Sequence, residues 1–199
     1  MLVGTVGLTP SALSAIRNFR GYGRLDAPLL FLGLEEGLGQ RCSSGTWSTW
    51  DELNARASWP SVVDARVACA SIGELYWTHR RYSAVWRFAA KIALGILNRQ
   101  PECLTDRDLA HRYVIDSLGR SSGQTLLGEL MPLPAKGLSQ KNWPYHPLYP
   151  TRREYEALVW PERLAMCNRS IAGVLTLSSA ASGAAAAHRA VPAGVWRAA

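Results

Sequence analysis

Hydrophobic and polar positions follow several distinct rhythms along the chain. Pro28 opens a run of Leu29, Leu30, Phe31 and Leu32 with no polar residue between them. A run this short, without alternation, predicts a strand buried on both faces, the kind found in sheets covered by helices on each side. Gly33 ends the run, and Leu34-Glu35-Glu36-Gly37-Leu38-Gly39 then reads as a glycine-rich, doubly acidic turn. Open α/β sheets keep their ligands at the carboxyl ends of such strands. Glu35 and Glu36 are therefore either solvated turn residues or a catalytic pair.

Other segments show different periods. Thr9 and Pro10 suit the cap and first position of a helix continued by Leu13, Ile16 and Arg17, and Gly21-Tyr22-Gly23 reads as the turn that follows it. Residues 40–64 hold Trp47, Trp50 and Trp59 without a sustained period, which predicts a long connection with a short helix near Trp50 to Arg56. From Ser71 to Leu97 apolar residues recur every three to four positions, among them Leu75, Tyr82, Val85, Ala89, Ile92 and Ile96, predicting one or two amphipathic helices. Arg80, Arg81, Arg87 and Lys91 then form either a basic face or the solvated side. A further helix is expected from Thr105, as its cap, to Leu118, with Gly119 as the terminal glycine.

Thr125 to Met131 predicts a second buried strand, carrying Glu129 and ended by Pro132 and Pro134. Residues 135–150 read as a loop rich in proline and aromatic residues. Thr151-Arg152-Arg153-Glu154 has capping-box spacing and opens a helix toward Arg169, bent or restarted at Pro161. Gly173-Val174-Leu175-Thr176-Leu177 suits a third strand.

Composition narrows the class. A chain of 199 residues with 48% hydrophobic positions can bury a core of its own. At Ser178 the sequence turns abruptly rich in alanine and serine, which divides a 1–177 α/β domain from a 178–199 tail expected to be disordered, only partly helical or truncated. Cys42, Cys69, Cys103 and Cys167 form no C-x-x-C pair, which argues against a zinc ribbon and a secreted disulfide framework. With no signal-like start and no 18-residue apolar stretch, the expected compartment is the cytoplasm, with no membrane partner.

The formal charge of +7 points to a polyanionic partner, and the excess lies beyond residue 60. Arginine supplies nearly all of it. That bias suits a DNA-facing surface, because the guanidinium grips phosphate with two parallel N–H groups; it equally suits a genome that encodes arginine in place of lysine.

The order of strand, acidic turn, helices, strand with a carboxylate, and basic aromatic loop resembles the uracil-DNA glycosylase superfamily over about residues 28–177. That family's first motif has versions such as GQDPY, GINPG and GEAPG, and Gly33-Leu34-Glu35-Glu36-Gly37 occupies the same frame with Glu36 in place of proline. The resemblance implies a three-layer α/β/α sandwich with a short, mainly parallel central sheet. It implies Glu35 as the group that positions water, and Gly33 and Gly37 as backbone contacts to substrate. Thr125-Leu126-Leu127-Gly128-Glu129-Leu130 is similar to the strand whose terminal asparagine reads a base, with Glu129 in that place. The family's HPS-type motif has no clear counterpart.

The chemistry needs few groups: a pocket for an extruded nucleotide, and a carboxylate that orients water and offsets charge on the sugar. Glu35, Glu36 and Glu129 are thus the candidate catalytic residues, with Gly33, Gly37, Trp143, His146 and Arg152 as substrate contacts. Trp143 either stacks on a base or packs beneath its loop, and Glu129 is either a reader or a structural residue bonded to a backbone amide or an arginine. No phosphate-binding G-x-x-x-x-G-K-[ST] loop, dinucleotide fingerprint, G-x-S-x-G elbow or H-E-x-x-H motif is present, and the histidines and cysteines form no ligand-like pair. The expectation is a monomer acting on a lesion or mismatch in DNA without metal or cofactor. The alternatives are a nucleic-acid-binding domain that cleaves nothing and a Mg²⁺ nuclease built on Glu35, Glu36 and Glu129.

Overall fold

The structure, a computed structural model, describes residues 7–37, 50–68, 84–98, 104–135 and 143–181, with the backbone alone at 35–37, 98 and 168–181. Helix α1 (Pro10–Asn18) leads into strands β1 (Gly21–Gly23) and β2 (Leu29–Gly37). Helix α2 (Trp50–Asn54) continues as a 3₁₀ turn (Ala55–Ser58) into β3 (Val62–Val63) and α3 (Ala65–Ala68). Helices α4 (Ala84–Asn98) and α5 (Arg107–Asp116) precede β4 (Thr125–Ala135), and α6 (Arg152–Ala181) follows it. The strands form one sheet in the order β2-β4-β1-β3. β2 runs parallel to β4 and β1 parallel to β3, while β1 and β4 are antiparallel, so the fold is mixed α/β with a mostly parallel sheet.

The helix starts follow local chemistry. Thr9 Oγ1 accepts the N–H of Ala12 at 3.2 Å, and Pro10 takes the first turn, where its missing N–H costs nothing. At α6 the capping box closes in both directions: Glu154 Oε2 accepts from the Thr151 N–H and Thr151 Oγ1 from the Glu154 N–H, each at 3.1 Å. At α5 the cap is Asp106 and not Thr105, since the Asp106 carboxylate accepts from the N–H groups of Asp108 and Leu109. Gly119, at φ +65°, closes the chain after α5 as expected.

The sheet departs from the expected one in four places. First, β2 is not the central strand. Among the described strands it lies at an edge, none of residues 29–34 is fully buried, and Leu32 and Leu34 stay 40% and 39% exposed. Second, residues 33–37 are not a turn, because β2 stays paired with β4 through Gly37.

Third, Gly21-Tyr22-Gly23 is a strand. Gly21 and Gly23 hold φ at 142° and 120°, and a Cβ on either would meet a main-chain oxygen of β4, at Leu127 or Thr125, at 2.1 Å. Only glycine lets β1 approach β4 this closely.

Fourth, β4 runs past its prolines. Between Glu35 and Gly37 the register slips from Met131 to Ala135, a bulge in which Pro132 and Pro134 need no ladder hydrogen bonds. The Leu133 N–H donates instead to Tyr155 Oη at 2.9 Å, and the Tyr145 hydroxyl donates to the Pro134 carbonyl at 2.7 Å. β4 is therefore the buried strand about which the domain is arranged.

Two core clusters form around it. One gathers Ala12, Ile16 and Leu53 with Met131, Leu133, Trp143, Tyr145, Tyr149, Tyr155 and Val159. The other joins Phe19, Tyr22 and Leu127 to Ala90, Leu94, Val114 and Leu118 from α4, α5 and the chain after α5, with Phe31 packed against it. Helix α6 reaches the first through one face, with Tyr155, Val159 and Arg163 spaced by four and all buried. Pro161 lies within α6 without ending it, because both Pro161 and Ala157, whose carbonyl loses its donor, face solvent. Residues 173–177, expected as a strand, belong to this helix, whose backbone continues through Ser178 to Ala181. Among the described residues, no helix is long and apolar enough to cross a membrane.

Asp64 ties the entry of α3 to the loop after α5. One carboxylate oxygen accepts from the Arg120 Nε–H and from the Ser121 N–H and hydroxyl, and the other from the N–H groups of Arg66 and Val67. Burial by itself pushes the Asp64 carboxyl up, but these donors together hold it below its ordinary value. A carboxyl with a depressed folded pKa stabilises the fold above its unfolded pKa, near 3.8, and the contribution is lost as pH falls through the folded value. Stability measured against pH is thus expected to drop below about pH 4, and Asp64→Asn to flatten that drop while lowering stability at neutral pH. An unchanged acid limb would contradict this role.

Candidate functional site

The predicted site residues separate into two groups. Parallel pairing of β2 with β4 sets Gly33 level with Glu129 and Glu35 level with Met131. The Glu129 carboxyl group lies across Gly33: a Cβ there would sit 2.2 Å from Oε2 and 2.8 Å from Oε1. Gly33 is thus the gap that admits the carboxylate, whatever else it does. Glu35 stands two positions further along the same strand, about 7 Å away at the usual rise. Glu36 and Gly37 follow on the paired strand, not on a ligand-cradling turn.

Arg163 fixes the main chain beneath this point. Its Nε and a terminal N–H both donate to the Glu129 carbonyl, the Nε at 3.1 Å, and its other terminal nitrogen donates to the Phe19 carbonyl. β1 pairs with β4 at Leu126 and Leu127, so the guanidinium takes over the β4 edge where that pairing ends. Burial pushes the Arg163 pKa down, and the negative charge of Glu129 is among the influences that pull it back up. The acid and the arginine are therefore linked twice, by hydrogen bonds through the main chain and by charge through space.

In the second group Trp143 and Arg152 belong to the interior, and His146 does not. Trp143 is 3% exposed, donates its Nε1–H to the Tyr149 carbonyl at 2.9 Å and packs its ring 4.9 Å from that of Tyr145. An indole enclosed in this way leaves no open face for a nucleobase. It shares its cluster with Met131, the residue level with Glu35, and so supports the sheet from behind. Arg152 is 4% exposed, bonded to Glu156 Oε1 at 2.6 Å, with its guanidinium 6.0 Å from the Trp143 ring. His146 is exposed, its Nδ1 2.9 Å from the Pro150 carbonyl.

Among the described residues three arginines lie in the core, where the sequence pattern predicts none. Arg56 is sandwiched between Phe19 and Trp59, 4.8 and 4.6 Å from the ring centroids, and Arg152 and Arg163 are held as described. Part of the basic composition is therefore structural, not a surface for phosphate. The four-residue spacing of Tyr155, Val159 and Arg163 was the available signal for the last of them. Among the described residues no three His, Cys, Asp or Glu side chains gather as a metal site would require. No family model, curated protein or solved structure matches the chain.

Proposed function

We propose that the chain removes a base from DNA by hydrolysing its N-glycosidic bond, as the resemblance to the uracil-DNA glycosylase superfamily implies, on a three-layer version of its α/β fold. One observation carries the reading: adjacent parallel strands bring Glu129 against Gly33, two residues from Glu35. In this scheme Glu35 orients a water and accepts its proton as the water oxygen bonds to the sugar carbon. The carbon–nitrogen bond breaks, and the base leaves with the electron pair and takes up a proton. Glu129, ionised, is an acceptor only, so it favours a base edge that presents N–H donors.

A second reading, binding without cleavage, is favoured by the paired strand at residues 33–37, since the family's loop would cradle substrate where this chain continues its sheet. Base release separates the two. The full chain is incubated with single- and double-stranded oligonucleotides carrying uracil, hypoxanthine or a mismatch, and free base is measured by chromatography. Glu35→Gln is expected to lower release by about a hundredfold while leaving DNA affinity nearly unchanged. Gly33→Ala presses on the far end of the Glu129 side chain and not on main chain, so it is expected to cost less than about 1 kcal/mol of stability and still reduce release about tenfold. DNA binding with a steep salt dependence but no free base would leave the second reading. Strand cleavage abolished by a chelator would make the carboxylates Mg²⁺ ligands instead.

A further inference from the structure

Helix α4 spends its broad apolar face on the core, where Ala89, Ala90, Ala93 and Leu94 are buried. A second apolar line remains outside. Phe88, Ile92 and Ile96, spaced by four, are 69%, 42% and 55% exposed and form a single file about 12 Å long. Beside it Gly95 leaves a dip walled by Leu104, itself 45% exposed, whose Cδ2 would lie 3.2 Å from a Cβ at residue 95.

Charge borders the file on one side. Arg87 and Lys91 each precede an apolar anchor by one residue, which puts both on the same flank, and α4 contains no acidic residue. Asp106, whose carboxylate feels Lys91 and Arg112, is occupied in capping α5.

We infer that this strip docks an amphipathic helix whose apolar line is bordered by acidic side chains. A file one residue wide, at i, i+4 and i+8, is a ridge that packs into the groove of one facing helix. A bilayer surface would call for the broad apolar face that α4 has already buried. A second copy paired through the same strip would set Arg87 and Lys91 against their equivalents, within a chain of net charge +7. Opposite charge on the occupant removes that cost and fixes its side of approach.

The test uses the full chain and a fluorescein-labelled 18-residue helical peptide with leucine at heptad a and d positions and glutamate flanking them. A control peptide carries lysine in place of the glutamates. Fluorescence anisotropy is expected to show saturable binding of the acidic peptide and at least about tenfold weaker binding of the lysine peptide. Phe88→Asp is expected to weaken the acidic peptide about tenfold or more, and the pair Arg87→Glu with Lys91→Glu to reverse the preference. Unchanged circular dichroism melts verify that the variants fold, and the charge-reversal pair stands alone should Phe88→Asp not. Equal binding of both peptides, or no binding of either, overturns the inference. So does self-association in sedimentation, or flotation with phosphatidylserine vesicles, that Phe88→Asp abolishes while the acidic peptide fails to bind.

Discussion

Gly21→Ala is expected to cost about 4 kcal/mol, a large share of an ordinary total stability, and to lower the urea midpoint steeply. The residue holds φ at 142°, where an L side chain is strained, and the new Cβ would lie 2.1 Å from the Leu127 carbonyl oxygen and 2.8 Å from its carbon. Those atoms belong to the buried strand, so neither side can give way without opening the β1–β4 pairing. Gly7→Ala supplies the control, because nothing lies within 4 Å of a Cβ there. Urea unfolding of the two variants measures the difference. Equal midpoints would mean that β1 does not approach β4 as described.

Arg163→Met is expected to be destabilising to a similar degree, by about 3–5 kcal/mol. Methionine matches much of the length and supplies the apolar body, yet it abandons two main-chain carbonyls, part-buried at Glu129 and buried at Phe19. Arg163→Lys is expected to recover little, since an ammonium is a compact charge and cannot span the separate acceptors that the planar guanidinium reaches. Denaturant midpoints again decide. A neutral Arg163→Met would show that water reaches this edge of β4 and that the helix merely lies beside it.

Local signals were legible where the chain answers its own neighbours. Thr9 with Pro10, Thr151 with Glu154, and Gly119 each act within a few residues, and each does what its chemistry dictates. Asp106 displaced Thr105 as cap because its carboxylate reaches two N–H groups at once. The strands were harder, for a physical reason. A run such as Leu29 to Leu32 records that a segment is apolar, not how many neighbours it will have, and here it became an edge. Pro132 and Pro134 looked like the end of β4 because a local view cannot include Tyr155 and Tyr145, whose hydroxyls serve the main chain from 22 and 11 residues away.

Residues 173–177 suited a strand by composition, yet short apolar runs fit either period and the helix begun at Arg152 carried through. The candidate site divides along the same line. Glu35 and Glu129 stood out as acids beside apolar runs, but Gly33 as the gap beneath a carboxylate depends on register, which is set between strands. Trp143 and Arg152 carried aromatic and cationic chemistry suited to a nucleotide, and the core claimed both.

Everything proposed for the site rests on one strand pairing, and nuclear Overhauser contacts in an isotope-labelled sample report on it directly. Contacts from the Gly33 α-protons to the Glu129 side chain, together with a parallel pattern linking Leu32 to Gly128, are the predicted result. An antiparallel pattern between these strands, or Glu129 side-chain contacts that bypass Gly33, would contradict it.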